Sequence, residues 1–201
     1  MAVTINGNGT VTGVSVGGLP DGIVDTDMLA ANAVATAKIA DDAITAPKIG
    51  TKSYVSCAVI ADKKSQNTSG GSSTADSHIQ RDLNHEFYDP DGIVSISSNQ
   101  FTLAAGTYII DWSAPCYHSN QHSSRLREVT DGTIQEGTCE YSNDYTQSRS
   151  VGSARVTQTG SKTYRIEHRC ALAKDTNGWG VASSNTANYD VFTWVKIYKE
   201  A

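Results

Sequence analysis

Cysteine and histidine occur in two short, mirrored pairs in the C-terminal half of the chain. His118 follows Cys116 by two residues, and His168 precedes Cys170 by two residues. If both segments are β-strands, the two side chains of each pair lie on one face, because side chains alternate along a strand. Two cysteines and two histidines on adjacent strands would supply the ligand set of a structural zinc site.

The spacing within these pairs differs from that of turn-based zinc motifs. Small side chains that face a protein core explain the same residues without a metal. The sequence therefore predicts no metal site and no cofactor. No Cys-x-x-Cys pair occurs among the four cysteines, which are expected to be thiols in a reducing compartment. The cysteines are Cys57, Cys116, Cys139 and Cys170.

Four carboxylates lie close together around a turn sequence. They are Asp82, Glu86, Asp89 and Asp91. A carboxylate pair is the catalytic apparatus of most glycoside hydrolases. A turn at residues 89–92 and a solvated face explain these residues as well. The sequence also lacks a phosphate-binding loop. We therefore predict no catalytic residues and no enzymatic activity.

Three polar segments, residues 117–125, 141–145 and 177–179, carry aromatic rings beside amide, hydroxyl or guanidinium groups. Such groups suit sugar hydroxyls and sugar rings, and loops rich in tyrosine, serine and asparagine form adaptable recognition surfaces. Ordinary polar loops explain them too, and Arg125 and Arg127 are expected to pair with Glu128 or Glu140. The candidate ligand-binding residues are Tyr117, His118, Asn120, His122, Arg125, Tyr141, Tyr145 and Trp179.

The bulk composition excludes two classes of partner. The 201-residue chain carries a net charge of −5 and no basic run, so a nucleic-acid surface is not expected. No segment approaches the roughly 20 apolar residues that cross a bilayer, so membrane insertion is not expected. The first residues lack the basic and apolar regions of a signal peptide. We expect synthesis in a cytosol.

Three parts follow one another along the chain. Alternating β-branched residues flank Asn6-Gly7, which is a hairpin sequence because both residues tolerate positive φ. Residues 17–22 are rich in glycine and interrupt this pattern. We predict an N-terminal hairpin or anchor segment over residues 1–20, a stalk over residues 21–51 and a head domain over residues 52–201.

The stalk contains a ten-residue repeat. One slot of the repeat holds Val24, Val34 and Ile44, and another holds Leu29, Ile39 and Ile49. Two or three apolar side chains per unit cannot build a core, so the units must stack on each other or on other chains. We expect an intertwined stalk in which these six residues contact neighbouring chains. An amphipathic helix over residues 24–40, limited by Pro47, is the alternative.

The head shows strand patterns separated by turns, with no long helix pattern after residue 52. The firmest strand places four alternate side chains on one face: Tyr164, Ile166, His168 and Cys170. Residues 53–60 predict a buried strand, and residues 63–77 predict an exposed, mobile loop. This succession is typical of a β-sandwich.

The last strand, residues 191–198, is apolar on both faces. One face would serve the core of the head. The other, with Phe192, Trp194 and Tyr198, needs a second cover. A neighbouring subunit is the natural candidate for it.

Two segments resemble known families. Residues 34–39, Val-Ala-Thr-Ala-Lys-Ile, resemble the stalk repeats of tailed-bacteriophage fibre proteins. Residues 101–112, with the pattern Phe-x(4)-Gly-x-Tyr, resemble a strand pair of complement-globular-head and tumour-necrosis-factor-like jelly rolls, and residues 195–199 resemble the last strand of that fold. The resemblance covers roughly residues 20–60 and 85–201. It implies an antiparallel jelly-roll head on a trimeric stalk, with the terminal strands near the threefold axis.

The resemblance further implies a non-enzymatic virion fibre subunit made in the host cytoplasm. Its partners would be two copies of itself, another virion protein bound through the N-terminal region, and a host-surface glycan bound through head loops. A capsid-decorating fibre without a receptor role and a bacterial surface module are the alternatives. The chain lacks the collagen-like Gly-x-y stalk of animal relatives, which argues against a secreted cytokine.

Overall fold

The computed structural model describes residues 4–5, 11–12, 39, 54–183 and 188–201. It divides into two compact units, Met1–Gly50 and Thr51–Ala201. In the first unit, β1 (Thr4–Ile5) pairs antiparallel with β2 (Val11–Thr12). This is the pairing that the Asn6-Gly7 sequence predicts.

The predicted stalk contacts fall almost entirely outside the described residues. Within the repeat only Ile39 is described, and its side chain is exposed. The other predicted stalk contacts lie outside the described residues: Val24, Leu29, Val34, Ile44 and Ile49. Their role in assembly stays a prediction.

The second unit contains two antiparallel sheets. The front sheet consists, in spatial order, of β11 (Gln147–Gln158), β8 (Gly106–Tyr117), β13 (Tyr189–Glu200), β3 (Tyr54–Ser65) and β5 (His85–Tyr88). The back sheet consists of β10 (Gly132–Ser142), β9 (Asn120–Glu128), β12 (Lys162–Cys170), β7 (Gln100–Leu103) and β6 (Val94–Ser97), and a short β4 (Ile79–Gln80) also pairs with β12.

The chain passes repeatedly from one sheet to the other, so most neighbouring strands are distant in sequence. The last strand, β13, lies between β3 and β8, and β12 lies between β9 and β7. This order is that of a jelly roll, and it confirms the predicted fold class for the head. Among the described residues no helix is long and apolar enough to span a membrane.

The core lies between the sheets and follows the period-two alternation of the strands. Strand β12 buries Tyr164, Ile166, His168 and Cys170, as its sequence predicts. Most of the core is aliphatic and aromatic, around Ile110, Leu126, Ile166 and other buried residues. A smaller cluster at one end contains Cys116, Cys170 and Trp179.

The predicted position of Phe192 on the outer face is wrong. Strand β13 has a register irregularity between Val191 and Trp194, and both Phe192 and Thr193 are buried. A β-bulge of this kind reverses the alternation of side chains. Phe192 therefore packs inside the head, where its ring lies so close that a Cβ at Gly180 would come within 2.3 Å of it. Only Trp194 and Tyr198 remain on the outer face.

The predicted exposed loop after β3 is also wrong in part. Strand β3 continues to Ser65, and backbone hydrogen bonds then join the following residues to residues 170–180. Gly70 N donates to Gly180 O at 2.8 Å, and Ser73 N donates to Lys174 O at 2.9 Å. Both Gly70 and Ser73 are buried. Polar composition predicted exposure, but hydrogen bonds to a distant segment satisfy the backbone of this loop.

The predicted turn at residues 89–92 is confirmed. Gly92 has a φ of 62°, in the left-handed region that glycine favours. The Asp89 carboxylate accepts hydrogen bonds from Ile93 N at 2.9 Å and Val94 N at 3.0 Å. Asp89 therefore has a structural role at the start of β6.

Gly152 makes room for the largest side chain between the sheets. It lies opposite Trp112 in the β11–β8 pairing, and a Cβ at this position would lie 2.1 Å from Trp112 Cζ2. Trp112 is held in place because its Nε1 donates to Ser124 Oγ of the back sheet at 2.9 Å. The indole is also buried, so a shift away from residue 152 would disturb the core and this hydrogen bond.

We therefore expect Gly152→Ala to destabilise the head by about 1–3 kcal/mol, the usual cost of overpacking. Gly160→Ala is the matched control, because nothing lies within 4 Å of a Cβ at Gly160. Urea unfolding followed by tryptophan fluorescence measures both variants. Equal stability of the two variants would contradict the assigned packing of Trp112.

Candidate functional site

Two turns meet at one end of the sandwich. One joins β8 to β9 and the other joins β10 to β11, and His118 N donates to Thr146 O between them at 3.1 Å. Positive φ angles occur at His118 (48°), Asn120 (56°) and Tyr145 (58°). Left-handed non-glycine residues cost energy and cluster at functional loops. We name this region, Tyr117, His118, Asn120, Asp144 and Tyr145, the tip patch.

The tip patch presents aromatic rings beside a carboxylate. Tyr145 is 86% exposed. Its ring centroid lies 6.2 Å from that of His118, which in turn lies 6.1 Å from that of Tyr117. His118 Nε2 is 2.8 Å from Asp144 Oδ1, which fixes the imidazole. The arrangement can stack on a flat apolar face and hydrogen-bond its polar edge.

The remaining predicted ligand-binding residues lie in three different environments. Tyr141 is exposed on β10, whereas His122 and Trp179 are buried inside the head. Arg125 is ion-paired on the outer face of the back sheet. The structure thus brings together Tyr117, His118, Asn120 and Tyr145, and it separates them from Arg125 and from the buried pair.

The predicted partners of Arg125 are wrong. Its Nη2 lies 2.6 Å from Glu167 Oε2, because β9 and β12 place these residues opposite each other. Glu128 instead accepts a hydrogen bond from Thr130 N at the next turn. Burial alone would raise the pKa of Glu167, but hydrogen bonds from Arg125 and Arg165 outweigh it and lower the pKa. This group of charges stabilises the sheet.

The four carboxylates near the 89–92 turn occupy separate structural positions. Asp82 contacts Lys64 and Asn99, and Asp91 accepts a hydrogen bond from Ser56 Oγ. Asp89 caps the turn, as described above, and Glu86 is exposed on β5. The absence of catalysis stays a prediction.

An open groove of about 550 Å³ lies on the outer face of the back sheet. Its lining includes Asp76, Gln121, Glu140, Tyr141 and Arg169. The groove is also lined by His122, so two of the predicted ligand-binding residues, Tyr141 and His122, lie at it. Gln121 pairs with Tyr141 between β9 and β10, and the next pair is Asn120 with Ser142. The groove therefore adjoins the tip patch at Asn120. The sequence signal for the other groove residues was their polar character at outward-facing positions near strand ends. It could not locate the groove, because the sequence does not show which strands lie next to each other.

Behind the groove lies a buried group that we name the inner cluster: Cys116, His122, His168, Cys170 and Trp179. His122 Nδ1 is 2.9 Å from His168 Nε2, and the His168 ring stacks on Trp179 with centroids 5.1 Å apart. The thiols of Cys116 and Cys170 are hydrogen-bonded to each other. Cys116 comes from the front sheet, whereas His122, His168 and Cys170 come from the back sheet.

His118, which the sequence pairs with Cys116, does not join the inner cluster. Strand β8 ends at Tyr117, and the left-handed turn at His118 breaks the alternation that would put the two side chains on one face. His122 on β9 occupies the expected place instead. The zinc site considered from the sequence also required Cys116 and Cys170 on adjacent strands, and this condition is not met, because β8 and β12 belong to opposite sheets.

Burial perturbs the titration of the inner cluster. It lowers the pKa of His122 to about 4 and also lowers the pKa of His168, with the Arg81 charge acting in the same direction. Both imidazoles are therefore neutral at pH 7. The hydrogen bond with Cys170, together with burial, raises the pKa of Cys116, so its thiol is protonated.

Comparisons with known proteins find matches only among solved structures, at low sequence identity and with TM-scores below 0.5 for those named here. No family model matches the chain, and no curated protein is significantly similar to it. The zebrafish complement 1qA globular domain is 12% identical with a TM-score of 0.45, and the match covers 72% of this chain and 94% of the zebrafish domain. Murine APRIL is 8% identical with a TM-score of 0.48, covering 72% of this chain and 98% of its own. The Eiger TNF of S. frugiperda is 10% identical with a TM-score of 0.43, and the match covers 74% of this chain and 94% of the Eiger chain.

The neutral histidines predict a loss of stability in mild acid. Their folded pKa values lie below the unfolded value of about 6.5, so the unfolded state binds more protons as pH falls. The contribution is complete above about pH 6.5 and is lost as pH falls towards 4. The shift of His122, from 6.5 to about 4, corresponds to on the order of 3 kcal/mol.

Urea unfolding between pH 7.5 and 5 measures this slope. The double substitution His122→Gln and His168→Gln should flatten it, because glutamine does not titrate. His118→Gln, at the surface, is the control and should leave the slope in place. The lowered pKa of Glu167 also makes the head less stable in acid. This loss occurs only near and below the ordinary glutamate pKa of 4.5, which lies below the measured pH range. A slope unchanged in the double variant would refute the assignment to the inner cluster.

Proposed function

We propose that the chain is a non-enzymatic, homotrimeric fibre subunit of a virus particle, whose jelly-roll head attaches to the host surface. The observation that carries the proposal is the outer face of the front sheet. This face carries exposed aliphatic and aromatic side chains beside the charged pair Lys196 and Asp111, which lie opposite each other on β13 and β8. The repeat in residues 22–49 supports it, because each unit lacks a core of its own.

The outer face extends across the five strands of the front sheet. The β13 residues Trp194 and Tyr198 lie at its centre, paired with β8 on one side and β3 on the other. Trp194 stacks on Phe87 with ring centroids 5.1 Å apart, and Tyr198 packs on Tyr54 at 5.2 Å. Other large apolar side chains on the front sheet are exposed: Val55, Tyr88 and Val151. Extended exposed apolar patches of this kind mark interaction sites.

A second copy of the chain is the occupant that suits this face. Most soluble homo-oligomers are closed and symmetric, and a large aromatic at the centre of an interface contributes strongly to binding. Threefold symmetry is supported by the resemblance of residues 34–39 and 101–112 to trimeric fibres and jelly rolls. The N-terminal region would then anchor the trimer to another virion protein, with the heads at the particle surface.

Host attachment is assigned to the tip patch. Its exposed tyrosine and oriented imidazole–carboxylate pair suit the apolar face and the hydroxyls of a sugar ring. The net charge of −5 does not favour nucleic acid as the partner. If the tip patch binds no glycan, the trimer is instead a capsid-decorating fibre without a receptor role.

The trimer is tested by placing a charge on the outer face. Val151→Glu should dissociate the assembly, because desolvating a carboxylate in an apolar interface is unfavourable. Val181→Glu is the matched control, since Val181 is similarly exposed, 41% against 44% for Val151, but lies outside the strands. Sedimentation velocity measures the mass of each. Trp194→Ala should weaken assembly as well, by more than about 2 kcal/mol. A stable wild-type monomer would overturn the proposal.

Glycan binding is tested on an array of host-surface glycans. Tyr145→Ala and His118→Ala should each reduce binding at least tenfold, because they remove the stacking ring and the oriented donor. Ile134→Ala, an exposed apolar residue near the opposite end of β10, should bind as wild type does. Product analysis on any bound glycan should find it intact. Cleavage would show that the chain is an enzyme.

A further inference from the structure

We infer that Cys116, His122 and His168 form a structural zinc site that joins the two sheets of the head. The inference is independent of the proposed fibre function. It departs from the sequence-based expectation of no metal, because the structure assembles a different set of ligands from the one that the sequence suggested.

The donor atoms already lie close together. One sulfur or nitrogen atom from each of the three side chains lies within 4.8 Å of the other two. Tetrahedral zinc with ordinary bond lengths to nitrogen and sulfur separates its ligand atoms by roughly 3.3–3.6 Å. The His122 Nδ1 to His168 Nε2 distance is 2.9 Å. Rotamer adjustments of about 1 Å would therefore complete the site without movement of the strands.

The histidine on β9 is held in the tautomer that a metal requires. Ser148 Oγ donates to Tyr141 O at 3.2 Å and lies 2.7 Å from His122 Nε2. Because its own proton is used, the serine oxygen accepts the Nε2 proton of His122. The lone pair of His122 is then on Nδ1, directed at His168. Such outer partners orient metal-ligating histidines in proteins.

The surroundings exclude competing partners. Cys116 and His168 have no exposed surface, and His122 is 4% exposed. His168 contacts no carboxylate among the described residues, and its Nδ1 has no hydrogen-bond partner there. In the metal-free head His168 Nε2 donates to His122 Nδ1. Zinc ligation through Nε2 would transfer the His168 ring proton to Nδ1, the nitrogen that has no hydrogen-bond partner among the described residues. Mixed cysteine and histidine ligands favour zinc over magnesium or calcium.

Zinc ligation would also change the charge of Cys116. Zinc binding would release the thiol proton of Cys116 to solvent, as ligation by cysteine requires.

Such a site would be a cross-link. Cys116 lies at the end of β8 in the front sheet, and His122 and His168 lie on β9 and β12 in the back sheet. Zinc would therefore fasten the two sheets where the aliphatic core ends. The tip patch lies directly beyond it, since β8 and β9 are joined by the turn that contains His118.

Cobalt titration of the metal-free full-length chain tests the site, because Co²⁺ reports thiolate ligation and tetrahedral geometry by absorption. Wild type should bind one Co²⁺ per chain with a thiolate charge-transfer band. Cys116→Ser should lose the band and bind roughly 100-fold more weakly or worse, since even outer partners change affinity 10- to 100-fold. His168→Gln should weaken binding similarly. Cys139→Ser, at an exposed cysteine, should behave as wild type.

Wild type alone provides a second measurement if a variant fails to fold. Zinc at a hundredfold excess over Kd should raise its Tm by roughly 5–10 °C, and a chelator should reverse the rise. Failure of wild type to bind zinc or cobalt stoichiometrically would overturn the inference. Wild-type affinity in Cys116→Ser and His168→Gln would overturn it as well. The inner cluster would then be a hydrogen-bonded histidine pair beside two thiols.

Discussion

A buried guanidinium holds together the end of the head at which the candidate sites lie. Arg81 is 1% exposed, and within the described residues it forms no ion pair with a carboxylate. Its Nε donates to Thr193 Oγ1 at 3.0 Å, and its Nη2 donates to Trp179 O at 2.8 Å. A buried charge is costly unless its hydrogen bonds are kept. These contacts therefore fix β13, the Trp179 loop and β4 relative to one another.

The inner cluster depends on that arrangement. The Arg81 guanidinium lies 4.7 Å from the centre of the Trp179 ring, and the His168 ring stacks on the same indole. Trp179 N also donates to Gly71 O at 3.0 Å, which draws the polar loop after β3 over the end of the sandwich. The charge, the ring and the loop together exclude water from the histidines, and this exclusion lowers their pKa values.

The two proposed surfaces of the head use different parts of the fold. The outer face of the front sheet is regular, and its apolar side chains follow from strand alternation. The tip patch is irregular and depends on three left-handed residues held by hydrogen bonds between turns. Assembly through the regular face would leave the irregular end free for a ligand. This division suits a fibre head, in which symmetry and recognition must not compete for one surface.

Local pattern sufficed for features that depend on near neighbours in sequence. The inward face of β12, with Tyr164, Ile166, His168 and Cys170, follows from alternation alone. The turn at residues 89–92 follows from proline and glycine preferences. The all-β class follows from recurrent strands without helix patterns. The tip patch was predicted in part, because aromatic and amide side chains in a polar loop are visible in sequence.

Features that depend on register or on distant contacts were decided by the tertiary structure. A bulge in β13 turned Phe192 inward, and the left-handed φ of His118 removed it from the cysteines. His122 took its place, since β9 brings it beside β12. The pairing of Arg125 with Glu167 arose from the same register. A bulge or a single turn residue shifts every later side chain by one face, and no local pattern records where that shift occurs.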